Sequence, residues 1–202
     1  MSTFVKICGM TDETAVRAAV DAGADAIGFV FYEKSPRNLS IERALELSQL
    51  VPDHVARIAV TLHPDKLLWA GIQDTLRPDA LQTDVEDFAY LAVDERIEKW
   101  PVIREGSVPR QWPAQFVYEG VASGQGQTVD WQLASMFAAR GRMILAGGLS
   151  IDNVAEAISV VRPFGVDVSS AVEKRPGVKD PERIKDFVQA SKTALRETGS
   201  NA

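Results

Sequence analysis

The feature that most constrains this chain is an eightfold alternation of short apolar runs with longer amphipathic or loop-like stretches, sustained from end to end. The runs are FVKIC (4–8), AIGFVF (26–31), RIAVTL (57–62), DALQ (79–82), KWPVIRE (99–105), QFVYE (115–119), RMILAG (142–147) and FGVDVS (164–169). Most are continuous blocks, as expected of strands covered on both faces by helices. Helices are predicted between them: over 12–23, with Asp12 as N-cap and Gly23 as stop; over 41–51, capped by Ser40; from Pro64 to about Leu76; over 84–93; over 131–140; over 151–161, capped by Ser150; and from near Pro181. Only the crossover GSVPRQWPA (106–114), with two prolines, lacks a helical period.

Eight strands with seven helices predict a parallel sheet with its helices outside. An open doubly wound sheet usually stops at about five or six strands, so eight units close into a (β/α)8 barrel with a short or irregular fifth helix region. A length of 202 residues lies at the lower limit for that fold. The expectation is therefore one compact domain over 1–202 with tight loops and a flexible tail at 196–202.

Composition narrows the function classes. A net charge of −6 without a lysine/arginine stripe argues against a nucleic-acid binder, though backbone N–H groups can still hold a small anion. No window has the ~18 apolar residues of a membrane span, and the N-terminus MSTFVKICGMTDE lacks the pattern of a signal peptide. With one cysteine no internal disulfide forms, which fits a reducing, cytoplasmic setting. Cys8, His54 and His63 have no metal-ligand spacing, so no metal is expected. No heptad or long apolar stripe stands out, which predicts a monomer.

In such a barrel, chemistry sits after the C-terminal ends of the strands. Cys8 ends the first strand before Gly9; it reads either as a small buried hydrophobe or as a base beside a ligand. Lys34 and Arg37 lie in the loop YEKSPRNLS, as solvated surface or, for the arginine, as a fork for a carboxylate. Glu119 ends the sixth strand before the glycine-rich GVASGQGQTVDW, as a general acid or a surface glutamate. Gly147-Gly148 after strand seven and Ser169-Ser170 after strand eight match the usual barrel phosphate site, which implies a small sugar-phosphate substrate.

With VKICGMT (5–11), FYEKSPRNLS (31–40), SGQGQTVDW (123–131), LAGGLSIDNV (145–154) and GVDVSSAVEKRPGVKDPERI (165–184) in order, the chain resembles the phosphoribosylanthranilate isomerases of tryptophan biosynthesis. The resemblance implies an Amadori rearrangement of N-(5-phosphoribosyl)anthranilate without metal or organic cofactor. It implies Cys8 as base, Arg37 on the anthranilate carboxylate, Gly147, Gly148, Ser169 and Ser170 on the phosphate, and Asp167 orienting polar groups of the substrate. Glu119 stands where the family usually has aspartate and is carried over as the acid.

Three further departures are Leu81-Gln82-Thr83-Asp84 in place of Q-L-H-G, TLHPD (61–65) where phenylalanine and asparagine are frequent, and Ala171 in place of glycine. Two rivals remain. One is a histidine-pathway isomerase, which relies on an aspartate where Cys8 stands and on a second phosphate site, or a dual-substrate aminoaldose isomerase. The other is a non-catalytic barrel that binds a sugar phosphate.

Overall fold

The computed structural model describes residues 2–120 and 128–194. On β1 (Phe4–Cys8), Val5 and Ile7 join the layer between strands and helices, whereas Phe4 packs with the cluster inside the sheet. This two-residue period repeats around eight parallel strands that pair in sequence order and close on themselves. The others are β2 (Ala26–Phe31), β3 (Ala56–Thr61), β4 (Ala80–Asp84), β5 (Glu98–Arg104), β6 (Gln115–Glu119), β7 (Arg142–Leu145) and β8 (Gly165–Val168). The seam is the parallel pairing of β1 with β8, Phe4 opposite Gly165 and Ile7 opposite Val168. Glycine is required there, because a Cβ on Gly165 would lie 2.7 Å from the Phe4 carbonyl oxygen.

Six α-helices cover the outside among the described residues: α1 (Glu13–Asp21), α2 (Ile41–Ser48), α3 (Lys66–Leu76), α4 (Trp131–Ala138), α5 (Val154–Val161) and α6 (Pro181–Thr193). Each turns a buried stripe to the strands, such as Trp69, Ile72 and Leu76 of α3 or Ile184, Phe187 and Val188 of α6. Full burial of such side chains contributes about 1.5–3 kcal/mol each. Inside the barrel the residues are smaller, including Ala26, Ile58, Ala80, Val117 and Ile144. The N-terminal end is filled by aromatic rings: Phe4 stacks on Phe164 at 5.3 Å and meets Trp100 edge-on at 6.0 Å.

The predicted strands all form, and Asp12 and Ser40 cap their helices through Ala15 N–H and Arg43 N–H. The crossover after β5 has no helix, as its prolines predict. Three expectations need correction. The helix expected over 84–93 is a single 3₁₀ turn, Val85–Ala89, because Asp84 completes β4 and Asp87 spends its carboxylate on Thr83, His63 and Tyr90. Among the described residues six α-helices therefore stand where seven were expected. Ser150 is no cap: its N–H donates to Asn153 Oδ1, a turn covers 151–153, and α5 begins at Val154. Pro64 lies outside α3, whose N-cap is Asp65 accepting from Leu68 N–H. The expected tail at 196–202 and most of the glycine-rich stretch after Glu119 (121–127) lie outside the described residues.

Helices α3 and α5 end on Arg77 (φ +49°) and Arg162 (φ +53°), left-handed positions that favour glycine. Arg162→Gly should raise the urea unfolding midpoint by the equivalent of about 0.5–1 kcal/mol. A midpoint that falls would show that the arginine side chain makes a compensating interaction.

Candidate active site

The C-terminal ends of the strands open into a cavity of about 900 Å³. Its wall includes the strand-end candidates singled out above: Cys8, Lys34, Arg37, Glu119, Gly147, Gly148, Asp167, Ser169 and Ser170. They come from five separate strand ends, which closure of the barrel brings to one mouth.

Beneath the cavity lies a buried ion pair that the sequence reading missed. Lys6, with no exposed surface, donates from Nζ to Asp167 Oδ2 at 2.9 Å. Cys8 is 8% exposed and shares the Lys6 face of β1. Gly28 on β2 makes room for both: a Cβ there would lie 2.9 Å from Cys8 Sγ and 3.3 Å from Lys6 Cε. Burial penalises the Lys6 ammonium, but Asp167 and Cys8 outweigh it and hold the lysine above its ordinary range. Burial pushes the Cys8 thiol up, with Lys6 and Lys179 opposing only in part. Asp167 is raised as well, burial exceeding the help of Lys6. The cation of this trio is the firmly charged member, because two acidic groups face it. Asp167 Oδ1 is buried without a hydrogen-bond partner among the described residues, an acceptor at the cavity wall.

The turns after β7 and β8 form the next side. Gly147 (φ +87°) and Gly148 (φ +64°) take consecutive left-handed conformations, which expose the backbone of the turn. Ser169 donates from Oγ to the Cys8 carbonyl at 3.0 Å. Buried Lys179 donates to Ser169 O (2.9 Å), Ser169 Oγ (3.1 Å) and Glu173 Oε1 (2.9 Å). Glu173 is also gripped by the fork of Arg37, Nε to Oε1 at 2.7 Å and Nη2 to Oε2 at 2.9 Å. Burial alone would raise the Glu173 carboxyl, yet the hydrogen bonds from Arg37 and Lys179 hold it below the usual carboxylate range. Lys179 is lowered, since burial exceeds what Glu173 returns. Arg37 thus reaches the cavity with its guanidinium plane already fixed by a protein carboxylate.

Across the mouth, Glu119 forms an ion pair with Arg104, whose Nη2 also donates to Asp84 Oδ1 at 2.6 Å. Burial works against the Arg104 charge, but Glu119 and Asp84 keep it raised. A polar interior at the end of β5 was not anticipated. Its signal was present: Arg104 is two residues beyond Val102, hence on the same face of the strand. Lys6 carries the same signal, two residues before Cys8.

The fold and this site define a (β/α)8-barrel enzyme with a buried thiol and a carboxyl group set into opposite walls of one polar mouth. The sequence matches the model of the N-(5'-phosphoribosyl)anthranilate (PRA) isomerase family over residues 5–190. The N-(5'-phosphoribosyl)anthranilate isomerase of Rhodopseudomonas palustris is 38% identical, with 96% of this chain and all of that protein covered. That of a Bradyrhizobium species is 37% identical, covering 96% and 97%. The crystal structure of phosphoribosylanthranilate isomerase from Thermotoga maritima superposes with a TM-score of 0.82 at 33% identity, covering 94% of this chain and 98% of the other. The chain belongs to the N-(5'-phosphoribosyl)anthranilate isomerase family.

A buried, raised thiol is mostly protonated at neutral pH. The rate of Cys8 alkylation by iodoacetamide should therefore climb by about tenfold per pH unit from pH 7 and still be climbing at ~8.5, the ordinary cysteine value. A plateau below pH 8 would mean that the lysines outweigh burial.

Proposed function

We propose that this chain catalyses the Amadori rearrangement of N-(5-phosphoribosyl)anthranilate to 1-(2-carboxyphenylamino)-1-deoxyribulose 5-phosphate, in tryptophan biosynthesis. The observation that carries this reading is family membership over residues 5–190, together with a thiol and a carboxyl group lining the same cavity. A solved relative, 33% identical with a TM-score of 0.78, is described in complex with reduced 1-(o-carboxyphenylamino)-1-deoxyribulose 5-phosphate, which supports a sugar phosphate as the ligand class.

In this reading the reactive form is the minor one in which Glu119 carries a proton and Cys8 has lost one, and Glu119 gives its proton to the ribose ring oxygen. The C1–O bond breaks, and the anthranilate nitrogen supplies the electron pair of the resulting C=N bond. The Cys8 thiolate then removes the proton from C2; the C–H electrons form C1=C2 and the iminium electrons return to nitrogen. The enolamine becomes the ketone by losing its O–H proton and gaining one at C1. Cys8 ends protonated and Glu119 ionised, and the proton that Glu119 gave stays on the product's new hydroxyl; before the next cycle Cys8 loses a proton to solvent and Glu119 takes one up.

The phosphate belongs in the turns of Gly147-Gly148 and Ser169-Ser170, supported by the left-handed glycines and the lysine behind Ser169. Arg37 takes the anthranilate carboxylate with Nη1, the nitrogen that Glu173 does not engage. Asp167 takes a sugar hydroxyl on Oδ1.

We also take the chain as one domain over 1–202, supported by the closed barrel and by α6 packing back on α1. A cytoplasmic monomer is the accompanying reading. No helix among the described residues is long and apolar enough to cross a membrane. The exposed large apolar residues are spread over separate segments, such as Leu67, Val108, Met136 and Ile151. A relative from Thermotoga maritima is described as dimeric, so sedimentation velocity decides this point.

Loss of anthranilate fluorescence, with the substrate generated in situ, tests the reaction. The wild type should turn over. Cys8→Ser should lower kcat by at least ~100-fold with an unchanged fold. Glu119→Gln should lower kcat severely while a product analogue still binds, and Arg37→Ala should chiefly raise KM. A folded but silent wild type overturns the reaction, and near-normal turnover by Cys8→Ser removes the thiol from it.

A further inference from the structure

Charged and titratable side chains from four consecutive strand ends meet in space. His63 follows β3, Asp84 ends β4 and Glu119 ends β6, while Arg104 at the end of β5 spans the last two. All four line the same cavity.

His63 stands at φ +46°, a strained backbone for a residue that is not glycine, and Asp87 provides the compensation. One Asp87 oxygen accepts from the His63 backbone N–H at 3.2 Å, and the other lies 2.8 Å from Nδ1. Asp87 is itself buried and fixed by hydrogen bonds from Thr83 (2.5 Å) and Tyr90 (3.0 Å). The ring is thereby locked with Nδ1 on Asp87, and Nε2 lies 3.4 Å from Asp84 Oδ2. Asp84 Oδ1 accepts from Arg104 Nη2, and Arg104 Nη1 donates to Glu119. Charge alternates along the row: Asp87, His63, Asp84, Arg104, Glu119.

We propose that His63, Asp84 and Arg104 are positioning residues for Glu119, which fix its carboxyl group and couple its charge to that of His63. The inference rests on the reading of Glu119 as the acid. Arg104 keeps its proton at every accessible pH, so the coupling is electrostatic and no proton travels along the row. A protonated His63 shares Asp84 and leaves Arg104 more fully to Glu119, where it orients the carboxyl group and stabilises the carboxylate that forms as the proton leaves. A neutral His63 returns Asp84 to Arg104 and relaxes its hold on Glu119.

The groups facing His63 are Asp87 and Glu86 from the turn after β4, with Tyr90 behind Asp87, and Asp84 from β4 itself. The hydrogen bond with Asp87 comes first among the influences that raise the imidazole, ahead of the opposing burial and the charges of Asp87, Asp84 and Glu86. The side chain is 61% exposed, so solvent protons reach it directly.

Because the chain has two histidines, His63 can be followed by carbon-13 NMR of labelled imidazole, with His54→Gln assigning the second signal. Asp84→Asn should lower the His63 titration midpoint, because a carboxylate 3.4 Å from Nε2 favours the imidazolium. Glu119→Gln, whose side chain lies two partners away along the row, should lower it by a smaller but measurable amount.

In turnover, His63→Asn should reduce kcat roughly three- to tenfold with KM changed by less than about twofold, and the same substitution should have no further effect in an Asp84→Asn background. His63→Gln serves if the asparagine variant unfolds. A midpoint indifferent to Glu119→Gln, or kcat effects that multiply independently, would overturn the coupling. A wild type without turnover would instead sink the reading of Glu119 as acid, while the NMR midpoint would still decide whether the row is coupled.

Discussion

Everything at the mouth depends on the seam where β1 meets β8. That pairing joins residues more than 160 positions apart, with Lys6 opposite Asp167, and so converts a linear string of βα units into a ring. The ion pair between those two side chains is buried inside the ring and would be costly to break, since a lone charge at that depth is uncompensated. The same closure sets Cys8 beside the Ser169 turn, and Ser169 bonds back to the Cys8 carbonyl. A thiol from the start of the chain and a turn from near its end thus share one wall.

A second set of charges organises the loops above. Glu173 takes Arg37 on one side and Lys179 on the other, and Lys179 in turn supports both oxygens of Ser169. Gly177 lies so close to the Pro36 carbonyl that a Cβ would overlap it, and Thr11 donates to the Gly177 carbonyl. The loops after β1, β2 and β8 are therefore one rigid collar. Its cost is the burial of three ionised groups, which is offset only because each has a partner in good geometry.

The sequence made the strands legible because their apolar runs are bounded and regular, and it made the eightfold closure legible from their number. It misled over 84–93, where the residues have helical composition but Asp87 is taken by long-range partners that local patterning does not reveal. Ser150 misled for a similar reason: Asn153 competes for the same local bonds. The strand-end candidates could be located because a barrel places every strand end at the same mouth. Lys6, Glu173, Lys179 and Arg104 escaped notice because a charged residue in a strand or loop looks solvated until its partner, 6 to 161 positions away, is known. The alternation of faces on β1 offered a clue for Lys6, which was overshadowed by the neighbouring cysteine.

The aromatic packing of Phe4, Phe164 and Trp100 closes the N-terminal end of the barrel, and Arg142 lies over the Phe164 ring at 4.1 Å. Among the described residues this packing fills the axial floor, so arrival and departure use the mouth. For an enzyme built this way, product and substrate exclude one another, so accumulated product acts as a competitive brake. Transfer of product to a following enzyme would have to take place face to face at the mouth.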